Sequence, residues 1–79
     1  MPLVKIHEEA YASVKDYGFL AKLAMDCVYR RMNDDMVCGI ICLLLKKQVL
    51  GCYIDSSKIQ NEESLQFFQK QFDRAVVSI

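Results

Sequence analysis

The chain is short of most features that mark a specialised small protein. Its 79 residues carry no net charge, ten basic side chains balancing ten acidic ones, so no field draws it onto phosphate backbones or anionic lipid. Nucleic acid is not expected as a partner on that ground, and no basic tail supplies a local exception. The longest apolar run, Met36 to Leu45, stops at Lys46-Lys47, well short of the roughly 20 residues a helix needs to cross a bilayer. Residues 1–8, MPLVKIHE, lack a basic region followed by a long apolar stretch, so no secretory signal and a cytoplasmic location are expected. One proline and three glycines leave no linker, repeat or low-complexity segment, and residues 1–79 are expected to form one small domain.

What is there is apolar. Hydrophobic residues make up 53% of the chain against 25% charged, which describes a folded protein rather than a disordered one. A chain this short buries only about 60 to 65% of its unfolded surface. The apolar fraction is therefore larger than the surface can easily hide, and its location is the main clue.

Four cysteines, Cys27, Cys38, Cys42 and Cys52, sit inside apolar stretches rather than in a loop-rich disulfide framework. Cys38 and Cys42 have a spacing open to zinc, but there is no Cys-x-x-Cys pair, and the single histidine, His7, is far away in sequence. Buried, reduced thiols are expected, with no metal and no cofactor. The acidic pairs Glu8-Glu9, Asp34-Asp35 and Glu62-Glu63 each stand where an element starts, where a helix dipole favours negative charge. They call for no acid–base chemistry.

Leu3 to Ile6 reads as a short strand. Apolar residues at 10, 11, 14, 17, 21, 24, 28 and 32 then follow a helical period over 8–32, with a weak point or break at Gly18. Asn33-Asp34-Asp35 reads as a turn. Residues 36–55 decide the fold, and two readings compete. A helix has an N-cap at Asn33 or Asp34, lysines near its end and Gly51 as its stop. Yet nearly every position from 36 to 45 is apolar, and a helix apolar all round must be enclosed on every side. Two strands joined through Lys46-Lys47-Gln48 suit the β-branched Val37, Ile40, Ile41, Val49 and Ile54. The primary expectation is therefore an α+β domain: an N-terminal helix, a central antiparallel hairpin and a C-terminal amphipathic helix. An all-α helical bundle is the alternative. The last helix is the clearest element, with Ser57 or Asn61 as its cap, and Leu65, Phe68, Phe72, Ala75, Val76 and Ile79 on one face.

A hairpin with a three-residue turn at 46–48 has two apolar faces, one of them holding Ile41, Leu43, Leu45, Val49 and Tyr53. The chain's helices can cover one face only. A second copy is expected on the other, through those five residues. The function this implies is a non-enzymatic, homo-oligomeric interaction module: a subunit, adaptor or inhibitor that binds itself and in some settings another protein.

Three resemblances define the alternatives. The order strand, helix, break, helix, strand, strand, helix resembles KH-type RNA-binding domains, with Asp16-Tyr17-Gly18-Phe19 at the position of that family's glycine-rich clamp, although one glycine stands where two are expected. Leu3 to Ile6 followed by a helix pair is similar to ribbon-helix-helix repressors. Either likeness implies a nucleic-acid-binding dimer contacting its target through Arg30, Arg31, Lys46 and Lys47. Pro2 ahead of a strand and a helix looks like the opening of the small tautomerases, which implies an N-terminal proline base and makes an enzyme the third reading.

Overall fold

A computed structural model of the chain describes residues 16–79. Among these, 80% are helical and none lies in a strand. The elements are α1 (Tyr17–Arg30), α2 (Asp34–Lys46), the short α3 (Leu50–Tyr53), a single 3-10 turn (Ser56–Lys58) and α4 (Glu62–Ser78). The α+β expectation is overturned, the all-helical alternative stands, and the expected hairpin over 36–55 is replaced by α2, α3 and the turn after it.

The physical reason lies in how α2 is enclosed. Every residue from Val37 to Leu44 is buried, about two full turns with no face open. Helix α1 packs on it from one side, α4 from another, and α3 also contacts it. Ile54 and Ile59 of the following segment enter the same core as α2. The short partner elements can therefore surround a 13-residue helix. β-branching at Val37, Ile40 and Ile41 penalises a helix by only about 0.5 kcal/mol per residue. Burying each side chain contributes about 1.5–3 kcal/mol in either conformation. Burial therefore decides, and the helix buries all of its faces where a two-stranded ribbon leaves an open edge.

Helix ends set the geometry. The Phe19 amide donates to Asp16 Oδ1 at 2.9 Å, which makes Asp16 the N-cap of α1. Gly18 is thus the second residue of a helix rather than a break within one. The part of the expected 8–32 helix before Asp16, together with Pro2, the Leu3 to Ile6 strand, His7 and Glu8-Glu9, lies outside the described residues. At the other end, Arg31 is left-handed (φ 53°), its amide donates to the Val28 carbonyl and the Met32 amide donates to that of Cys27. That pair of bonds closes a Schellman cap. α2 ends the same way: Gln48 is left-handed (φ 60°), with Gln48 N–H to Leu45 O and Val49 N–H to Leu44 O. The stop is therefore Gln48, and Gly51 lies within α3.

Neither cap uses the glycine that such a backbone favours. Gln48 is exposed, so Gln48→Gly removes a left-handed strain without removing a packed side chain. A gain of about 0.5–1 kcal/mol is expected in urea unfolding. A loss of stability would show that this cap is not left-handed in solution.

α4 begins as its sequence requires. The Ser64 amide donates to Asn61 Oδ1 at 3.0 Å, and Glu62 and Glu63 occupy the first turn. Its rotation is the surprise. The side that faces the core carries Ser64, Phe68, Gln71 and Ala75, and two of these four are polar.

Candidate functional site

The five expected interface residues do not form a surface. Ile41 and Leu43 are inside the core, Leu45 and Val49 are half-buried against it, and only Tyr53 is exposed. Tyr53 sits beside the start of α1, its ring 6.4 Å from that of Tyr17 in an edge-on contact. The sheet face that was to bring the five together is absent, because 36–46 is wound into a helix whose side chains point in every direction.

The basic residues are likewise divided. Arg30 pairs with Asp26 one turn earlier at 3.3 Å. Arg31 donates to the Tyr29 carbonyl and to Ser64 Oγ, each at 3.3 Å, and lies 3.5 Å from Glu63. Lys46 and Lys47 are at the far end of α2, about 20 Å away along a helix of that length. No single positive patch joins the four. The KH likeness also loses its strands among the described residues, and Asp16 to Phe19 is a capped helix start rather than a phosphate-cradling loop.

The thiols are dispersed. Cys27, Cys38 and Cys42 are buried and Cys52 is exposed, and none of the four forms a disulfide. The convergence of Cys38, Cys42 and Cys52 expected from the hairpin register disappears with the hairpin. Among the described residues no group of three or more His, Cys, Asp or Glu side chains is placed to hold a metal ion. Burial pushes the Cys38 thiol above its ordinary range, against the opposing pull of the Arg74 charge. Asn33 Nδ2 donates to Cys27 Sγ at 3.6 Å. With Ellman's reagent at pH 8, Cys52 alone is expected to react in the native protein and all four thiols after unfolding. A second fast-reacting thiol in the native chain contradicts the burial of Cys27, Cys38 and Cys42.

Two arginines fix α4 in place, and both were assigned elsewhere or overlooked by the sequence reading. Arg31 reaches buried Ser64. Arg74 donates from Nη1 to Gln71 Oε1 and from Nη2 to Asp35 Oδ1, both at 2.7 Å. Gln71 is 1% exposed, and a buried amide needs such a partner. These contacts satisfy polar groups in the interface between α4 and the α1–α2 corner.

Their consequence is displaced apolar surface. With Ser64 and Gln71 turned inward, Leu65, Val76 and Ile79 are turned outward, at 37%, 49% and 60% exposure. Phe72 lies between them, half-buried and stacked on Phe68 with ring centroids 6.2 Å apart. At 100° per residue, this row sits about 90° round the helix from the core-facing side and runs about 21 Å along it. Elsewhere among the described residues the large exposed apolar side chains are Phe19, Tyr29, Met32, Tyr53 and Val77. The sequence places Leu65, Phe68, Phe72, Ala75, Val76 and Ile79 on one face; the structure divides that face, turning Phe68 and Ala75 into the core and Leu65, Val76 and Ile79 toward solvent.

No single helix among the described residues is long and apolar enough to cross a membrane; α2 and the segment 50–58 meet the criterion only together, bent by 113°. No protein-family model, curated protein or solved structure matches the chain.

Proposed function

We propose that the chain is a small non-enzymatic interaction module that associates with itself through the outer row of α4. The observation that carries this reading is the split of α4 into two strips, a core-facing one of mixed polarity and an outer one that is apolar. One strip closes the core, and Leu65, Phe72, Val76 and Ile79 form the other. A helix that needed only to cap the core would place polar residues at 65, 76 and 79. The expected self-association thus moves from the α2 region to α4, and Ile41 and Leu43 take no part in it.

The nucleic-acid reading finds no comparable support. Its four basic residues stand at opposite ends of α2, and Arg30 and Arg31 are engaged in ion pairs. A row this narrow falls at the small end of specific interfaces, so a weak, concentration-dependent dimer is the natural outcome. Sedimentation equilibrium from low micromolar to high hundreds of micromolar is expected to show the mass rising from 9.1 kDa toward twice that value. A constant monomer mass over the whole range rejects self-association.

A further inference from the structure

Resting on that reading, we propose that a second copy packs α4 against α4 in antiparallel orientation, about a two-fold axis passing beside Phe72. Three of the four residues in the outer row, Leu65, Phe72 and Ile79, are spaced seven apart on either side of Phe72. Such a row is its own complement. When one copy is rotated by 180° about the axis, its Leu65 meets the partner's Ile79, the two Phe72 rings meet each other, and each contact is made twice. An isologous interface requires this arrangement. The seven-residue spacing also keeps the contact line on one side of both helices over three successive levels.

The helix dipoles favour the same orientation, and the side chains near the row permit it. At the levels where the two helices face each other, Gln66 opposes Ser78, and Gln69 opposes Ala75 and lies next to Val76. Lys70 and Arg74 share a level, but they are on the opposite side of α4 from the row, and Arg74 is held by Asp35. Asp73 accepts from Gln69 of its own helix at 3.0 Å and stands about a quarter turn off the row. The axis sets it on the same flank as the partner's Asp73, a helix width apart, where exposed carboxylates repel only weakly in salt. A parallel pair would place Glu62 and Glu63 of both copies at one end and align the two helix dipoles, and both effects repel.

Two measurements on the full chain test the pairing. Val76→Glu puts a carboxylate in the row at a residue already half in water, so the helical circular dichroism should be unchanged. Because the two-fold axis repeats the change, association is expected to weaken at least about 100-fold. Second, a nitroxide on Glu62→Cys in a Cys52→Ser background reports orientation by pulsed electron resonance. Antiparallel helices set the two labels about 30 Å apart, whereas parallel helices set them about 10 Å apart. A separation near 30 Å together with loss of the dimer in Val76→Glu supports the proposal. A short separation, or a dimer that survives Val76→Glu, overturns this pairing and leaves self-association standing. A monomer in the unmodified chain at hundreds of micromolar overturns both.

Discussion

Ile41→Ala is expected to lower the stability of the folded chain by about 2–5 kcal/mol, the range for removing a fully enclosed branched side chain where the surroundings cannot collapse. For a domain of this size that amounts to roughly 10–30 °C in melting temperature, followed by the helical signal at 222 nm. Ile41→Asp goes further, because a carboxylate at a site with no exposure has no partner, and the chain is expected to remain largely unfolded. The measurement belongs at low micromolar concentration, where any dimer has dissociated. If Ile41 were instead a partner-facing residue, dilute monomer stability would change by less than about 0.5 kcal/mol and only association would suffer. Ile41 therefore separates a core α2 from a surface hairpin more sharply than any other single position.

The second large effect falls on Arg74. Arg74→Met removes both 2.7 Å bonds and leaves Gln71, at 1% exposure, without its acceptor's donor. The ion pair with Asp35 is about one-third exposed on each side and is worth at most about 1 kcal/mol after screening. The stranded Gln71 oxygen adds about 1–3 kcal/mol, so the total expected loss is about 1–4 kcal/mol. Replacing both partners discriminates between causes. Arg74→Met with Gln71→Met should recover part of the loss, since two apolar side chains leave nothing unsatisfied. Strict additivity of the two single changes in urea melts would show that Gln71 does not depend on Arg74.

The uneven legibility of the fold has a physical basis. α4 could be read because Asn61, Glu62 and Glu63 are local signals, acting within four residues of one another. Asp34, Asp35 and Lys46 carried equally sound information about where α2 starts and stops. They were outweighed by the apolar run between them, which has no periodicity to read: when every position is hydrophobic, strand and helix patterns coincide. The stop at Gln48 was invisible because it is made by backbone bonds from Gln48 and Val49, with Gly51 offering a more familiar residue for the purpose. The candidate interface failed with the hairpin for Ile41 and Leu43. Ser64 and Gln71 could not be placed inward from sequence, because the groups that make their burial affordable, Arg31 and Arg74, reach them only once the helices are packed.

The enclosure of α2 has a further consequence in the unfolded chain. The segment from Met36 to Leu45 is uncharged and β-branched at three positions, the composition that stacks into intermolecular cross-β ribbons. Its strand-like character is a property of the sequence even though the native fold makes no use of it. Asp34 and Asp35 before it, and Lys46 and Lys47 after it, act as gatekeepers that slow such stacking. Native packing completes the protection by removing all eight central residues from contact with other chains. Heating above the unfolding transition at tens of micromolar should therefore give aggregates that bind thioflavin T, and replacing Lys46 and Lys47 with serine should hasten them. The helix at the centre of this fold guards the stretch of chain that has most to gain from becoming a strand.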